Sequence, residues 1–257
     1  MSGLGSPNET ANKYEAPTKL SAFSRGVMEM LERIEYRRCE TGEDLEAAYR
    51  LRYRAYHEHG LLDAIIDGKL VDHLDETPNC YCFGIFMDGE LISTVRLHHL
   101  THAMPISPAM TVFGDRLMPR LAAGETFIDP SRLAIDPDLS SSANRSLPYA
   151  TLRLAVMANE YFGATGCVSM IRAEHAAFYA RIFGSAAVGT PRIYPPFTFP
   201  AFLYESRCAD NLQPTLERFP FFRSTAGERR MMFAKPEMGE LSPLTILPTA
   251  KYFLNAA

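Results

Sequence analysis

Apolar positions recur along this chain with two periods, and the switches between them predict its elements. Helical spacing over Phe23–Leu31 predicts a short helix, and Ile34–Cys39 predicts a first strand. Thr41-Gly-Glu-Asp44 supplies a cap and an acidic first turn for a helix that runs to about His59, with Gly60 just past its end. An acid-rich loop over 61–79 precedes two strands, Cys80–Met87 and Leu91–His99, joined at the hairpin signal Asp88-Gly89. Residues 100–110, with Pro105 and Pro108, read as a loop before a short helix over Val112–Ala122. Thr126–Ile135 is strand-like. Leu147–Phe162 is helical and ends at Gly163, Cys167–Ile171 is a short strand, and His175–Phe183 is a helix stopped by Gly184. Residues 185–206, rich in proline and aromatics, are expected to be extended, and Met231–Phe233 to form one more edge strand. This order predicts an α/β (α+β) protein, a mixed sheet with helices on both faces. The expected organisation is a disordered arm over 1–20, a single domain over 21–235 and a tail over 236–257.

The segment Phe127-Ile-Asp-Pro-Ser-Arg-Leu-Ala-Ile135 departs from a plain buried strand. Strict alternation points Asp129 and Arg132 to opposite faces. Pro130 has no N–H for a ladder and belongs at an edge or a bulge. A bulge adds one residue and re-aims side chains, so it can bring both charges to one face of a cleft.

Composition narrows the partners. A formal net charge of −4 and a pI near 6.0 argue against nucleic acid. No apolar run reaches the roughly 20 residues of a membrane helix. The first ten residues lack a basic start followed by an apolar core, so no signal peptide is expected. Five scattered cysteines, Cys39, Cys80, Cys82, Cys167 and Cys208, suit a reducing compartment, and the expected location is the cytoplasm. Cys80 and Cys82 share one strand face but lack a second ligand pair at short spacing, so no metal is expected. Cys167 with His175 lacks a third group to complete a thiol nucleophile.

Charge is uneven along the chain. Residues 40–90 hold 12 acids against 4 bases, whereas 139–200 hold 5 arginines against 2 glutamates. That split suits an amine-bearing ligand on one side and an anionic partner on the other. Tyr49, Arg52, Tyr53 and Tyr56 fall on one face of the first long helix. An arginine inside an aromatic stripe needs a partner, and Asp72 and Asp75 are available. Arg96 alternates with Val95 and Leu97 and faces away from them.

Taken in order, Arg52-x3-Tyr56, Asp72-x2-Asp75, Arg96-Leu97 and Asp129-x2-Arg132 resemble the acyl-homoserine-lactone synthases, with Asp in place of the Glu of a Glu-x-Ser-Arg strand. The resemblance covers about residues 34–200, within the wider GNAT-like acyltransferases. The chain also departs from the lactone synthases. It has no tryptophan, His98-His-Leu-Thr-His102 replaces their segment after the arginine strand, and its C-terminal region is atypical of them. It looks closer to the long-chain N-acyl amino acid synthases of the FeeM type.

The resemblance implies a GNAT-like, mostly antiparallel central sheet. It also implies transfer of a long acyl group from an acyl carrier protein thioester, with acyl-CoA as the alternative donor, to the amino group of an amino acid or related amine, with no bound cofactor. On this reading Asp72, Asp75, Asp129 and Arg132 are catalytic, and Arg52, Tyr56 and Arg96 hold substrate. Arg145, Arg153, Arg172 and Arg181 offer a docking face for an acidic carrier protein. Asp136–Arg145 contains no glycine, which favours the carrier protein over coenzyme A. A lactone synthase and a non-catalytic ligand binder of the same fold are the alternatives.

Overall fold

Phe83 and Ile85 on one strand, and Val95 and Leu97 on its neighbour, all face one side of a sheet. There they meet Leu147, Leu154 and Val156 of a long helix. This alternation fixes which side of the hairpin is core and which is left for polar chemistry. The computed structural model describes residues 20–254 apart from 41, 64–65, 140, 196, 198, 236–242 and 244. Most of the expected arm over 1–20, the Thr41 cap and the start of the expected tail therefore lie outside the described residues.

The strands are β1 (Ile34–Arg38), β2 (Cys80–Met87), β3 (Glu90–Leu100), β4 (Phe127–Ile135), β5 (Gly166–Ile171), β6 (Ala186–Ala187), β7 (Arg192–Ile193) and β8 (Pro200–Arg207). The helices are α1 (Ala22–Arg33), α2 (Gly42–Glu58), α3 (Pro108–Ala122), α4 (Ser141–Phe162), α5 (Ala176–Phe183), α6 (Cys208–Arg218) and α7 (Ala226–Phe233). The sheet order is β1-β2-β3-β4-β5-β8-β6, with β7 also beside β8, and among the described residues only β4 and β5 pair in parallel. The β2–β3 turn places Asp88 at φ 54° and Gly89 at φ 87°, the left-handed pair that a two-residue hairpin requires.

One face of the sheet carries the large core, to which α1, α4 and α7 contribute Leu31, Met157 and Phe233. The other face carries α3, through Phe113, Leu117 and Leu121 against Phe127 and Val168. It also carries α2, through Leu51 and Ala55 against Ala134.

The ladder between β4 and β5 ends after Phe127/Gly166 and Ile128/Cys167. Beyond that point the two parallel strands separate and leave an open wedge. Pro130 is therefore tolerated on a central strand. It pairs with Leu97 of β3 on one side, and on the other there is no ladder for its missing N–H to break.

Two expectations need correction, and one helix is new. Met231–Phe233 is the end of helix α7, not an edge strand. Thr225 caps that helix by accepting from the Glu228 N–H, and Met232 and Phe233 are buried at helical spacing. α3 begins at Pro108 rather than Val112, because Ser107 caps it and proline suits the first helical turn. α6, which holds Pro214 inside it, has no counterpart among the expected elements. Past residue 242, Ile246 pairs with Tyr36 of β1, and Ala250 is buried.

Candidate active site

The spacing of Asp72 and Asp75 has a local cause. The Asp72 side chain accepts from the Leu74 N–H at 3.0 Å, and the Asp75 side chain accepts from the Asp72 N–H at 3.0 Å. Each aspartate thus caps the other's backbone across one 3₁₀ turn, His73–Glu76. The carboxylates are free to bond outward as well. His98 of β3 steadies the same turn, its Nε2 donating to the Leu74 carbonyl at 3.0 Å.

Three arginines meet these two acids in an alternating chain of charge. Arg52 Nη1 of α2 lies 2.7 Å from Asp75 Oδ1. Arg96 Nη1 of β3 lies 3.0 Å from Asp75 Oδ2 and 2.7 Å from Asp72 Oδ1. Arg132 Nη2 of β4 lies 2.6 Å from Asp72 Oδ2. Arg52 and Arg96 are fully buried, and burial of this kind is tolerable only because each has carboxylate partners. Arg52 also donates to the Cys82 Sγ at 3.1 Å. Burial alone would raise the Asp72 pKa, but Arg96 and then Arg132 outweigh it and hold the carboxyl well below the usual range.

The expected bulge is present, at Arg132. Arg96 pairs with Ser131 and Thr94 with Ala134, so Arg132 and Leu133 together oppose Val95. Arg132 takes φ 53°, a left-handed conformation that costs a non-glycine residue about 1 kcal/mol or more. The bulge cancels one step of alternation. Ser131, which accepts from Arg96 Nε at 3.1 Å, and Arg132 consequently share a face.

Asp129 lies on that face as well, but its partner is not Arg132. Its Oδ2 accepts from the Ala109 N–H at 2.8 Å, in the first turn of α3. Its Oδ1 is buried with no hydrogen-bond partner among the described residues. Burial raises the Asp129 pKa to about 6, against the opposing pull of Ser107, Ala109 and Arg96. The sequence placed this acid in the site, but not its seat on a helix N-terminus, because the start of α3 was read as loop.

A cavity of about 530 Å³ fills the wedge between β4 and β5. Asp129, Ser131, Arg132 and Arg96 line one wall, and Tyr56 of α2 lies beside them. The Tyr56 hydroxyl donates to the Leu133 carbonyl at 3.2 Å, so the residue braces the bulge. Tyr194 and Phe197 place their rings 5.9 and 5.1 Å from the Arg132 guanidinium. Sequence reading missed these two aromatics, which come from an irregular proline-rich segment. Arg132 Nε is buried and unpartnered among the described residues. Arg52 is absent from the cavity wall and acts from behind it, through Asp75.

The candidate docking arginines divide. Arg145 and Arg181 are exposed, and Arg172 is partly exposed at the cavity mouth, 2.9 Å from Glu174. Arg153 is fully buried, with Nη1 2.5 Å from Glu228 Oε1 and further bonds to the Phe221 and Arg223 carbonyls. Arg153 is therefore a core strut and offers nothing to a docking partner. Among the described residues no group of three or more His, Cys, Asp or Glu is placed to hold a metal, and no helix is long and apolar enough to cross a membrane.

A buried run of alternating charge, a bulged strand and a wedge between parallel strands thus frame one cavity. The family model described as N-acyl amino acid synthase FeeM matches residues 47–207. The chain belongs to this family. It is an acyltransferase with a GNAT-like fold. The solved structure of FeeM, an N-acyl amino acid synthase from uncultured soil microbes, superposes with a TM-score of 0.61 at 18% identity, covering 74% of this chain and 98% of that one. The acyl-homoserine-lactone synthase LasI is a more distant likeness, with a TM-score of 0.47 at 18% identity over 68% of this chain and 89% of that one. A CoA-dependent lactone synthase, BjaI, gives 0.43 at 17% identity over 68% and 81%. No curated protein matches the chain by sequence.

Proposed function

We propose that the protein moves a long fatty acyl group from an acyl carrier protein thioester to the amino group of an amino acid or related amine. The observation that carries this reading is the wall formed by Asp129 and Arg132. A buried carboxyl with a free oxygen and a guanidinium with a free Nε line the same cavity. Asp129 takes the proton of the incoming ammonium, directly or through a water, and its raised pKa brings it nearer neutrality than an ordinary carboxyl. The amine nitrogen then attacks the thioester carbonyl. The tetrahedral intermediate collapses, the C–S bond breaks, and the thiol leaves with a proton while the amide forms. Arg132 grips the acceptor's carboxylate, and Asp72, held in turn by Arg96, keeps that guanidinium in position. Backbone N–H groups of the bulged stretch after Arg132 supply donors for the oxyanion. Arg52, Arg96 and Asp75 act by holding Asp72 and Arg132 in place. The acyl chain follows the apolar wall toward Leu152, Phe178 and Tyr179. Arg145, Arg172 and Arg181 receive the acidic carrier protein, which works in the cytoplasm with this enzyme.

Mass spectrometry of lipid extracts from cells overproducing the wild type or Arg132→Ala tests the proposal. A new N-acyl amino acid present only with the wild type supports it and names both substrates. A new acyl-homoserine lactone instead moves the enzyme to the lactone-synthase branch. No product from purified protein supplied with acyl carrier protein thioesters and a panel of amino acids overturns it.

A further inference from the structure

Behind the main cavity lies a second, inner one of about 40 Å³, with Pro130, Leu152 and Tyr179 shared between the two walls. It is wedged between β5 and the helices α4, α5 and α6, on the side of Pro130 away from the charged wall. By volume it has room for about three water-sized groups, so it accepts the end of a chain and little more. A pocket for a plain alkyl tail would be lined by carbon. This one is lined by Asn159, Ser169, Ser185 and Asn211 among apolar neighbours.

Asn159 sets its character. The residue is 6% exposed, and its Oδ1 is buried with no hydrogen-bond partner among the described residues. The amide orientation is fixed by its other half. Nδ2 donates to the Ala155 carbonyl at 2.9 Å. Flipping the amide would set its oxygen against the Ala155 oxygen. The free atom is therefore an acceptor, and leaving a buried acceptor empty is costly.

Resting on the acyl-transfer reading above, we infer that this inner cavity receives a hydroxyl borne on the acyl chain, which donates to Asn159 Oδ1. The preferred donor is thus a hydroxylated fatty acyl thioester. A keto group at the same carbon brings a second acceptor to Asn159 and is rejected. An unsubstituted chain leaves the acceptor unpaired.

Acyl-pantetheine thioesters of equal chain length test this. One is unsubstituted, and the others carry a hydroxyl or a keto group at successive carbons. The wild type is expected to turn over one hydroxylated isomer about tenfold faster in kcat/KM than the unsubstituted donor, with its keto counterpart slower than both. Asn159→Leu is expected to reverse the order, making the unsubstituted donor the faster. Equal rates for all donors in the wild type overturn the inference, and the cavity then holds only a water. A hydroxyl preference that survives Asn159→Leu overturns it too. The wild-type ranking is decisive even if the variant does not fold. Absence of product from every donor with every amine points instead to failure of the acyl-transfer reading.

Discussion

Arg132 Nη2 lies 2.6 Å from Asp72 Oδ2, although sixty residues separate them and Arg132 must hold φ 53° to reach it. Two effects oppose each other there. The left-handed backbone costs about 1–3 kcal/mol in a residue with a Cβ. The ion pair returns part of that and presents the guanidinium to the cavity. Arg132→Gly is expected to be more stable than Arg132→Ala by about 1 kcal/mol, since glycine adopts this φ without strain. Both are expected to lose acyl transfer by a hundredfold or more. Urea denaturation and a product assay on the same preparations check this. Equal stability of the two variants refutes the strain.

Asp75 is expected to matter more for folding than Arg132. It is the shared partner of two fully buried arginines. Asp75→Asn leaves both underpaired and is expected to destabilise the protein by about 3–5 kcal/mol. Adding Arg52→Met removes one stranded charge, so the double variant is expected to be less damaged than the sum of the singles. A denaturant double-mutant cycle measures the coupling, and simple additivity argues against a connected chain.

The raised pKa of Asp129 gives stability a pH dependence of definite sign. Its folded-state value of about 6 lies above the unfolded value of about 3.9, so the native state binds the proton more tightly. This contribution is fully present below about pH 4 and is lost as pH rises through 6. The shift corresponds to about 3 kcal/mol as an upper figure. Asp72 has the opposite sign, its stability being present above the ordinary aspartate pKa and lost as pH falls below it. Asp129→Asn is expected to abolish the first dependence and leave the second. In the same window, kcat/KM for acyl transfer is expected to rise with pH, with an apparent pKa near 6. A flat wild-type profile between pH 5 and 7 removes Asp129 as the base.

Arg145 and Arg181 stand at the surface, whereas Arg153 is locked to Glu228. Reversing the charge of Arg145 and Arg181 is expected to raise KM for a carrier-bound donor several-fold, with the effect shrinking at high salt. KM for the small pantetheine thioester is expected to stay unchanged. Arg153→Met is expected instead to lower stability by about 3–5 kcal/mol, because it strands the Glu228 carboxylate in the core. Steady-state kinetics with both donors separate the two behaviours.

Periodicity and spacing determined much of this protein by themselves. The hairpin at Asp88-Gly89, the strand-like stretch ending at Ile135 and the helix ending at Gly163 are local patterns that the chain enforces over a few residues. The order of Arg52, Asp72, Asp75, Arg96, Asp129 and Arg132 identified the family, and Pro130 announced an irregular strand. What the sequence could not settle depends on distant packing. Met231–Phe233 is too short a run to show its period, and Thr225 capping with burial against the sheet made it helical. Arg153 looks like any surface arginine until Glu228, seventy-five residues later, folds against it. Asp129 was visible as an acid, yet its raised pKa comes from burial, which outweighs the opposing pull of the first turn of α3. The free oxygen of Asn159 exists only because α4, α5, α6 and β5 come together around one cavity. Burial and pairing arise from tertiary contacts between residues far apart in the chain, and these decided which polar groups support the fold and which are left for substrate.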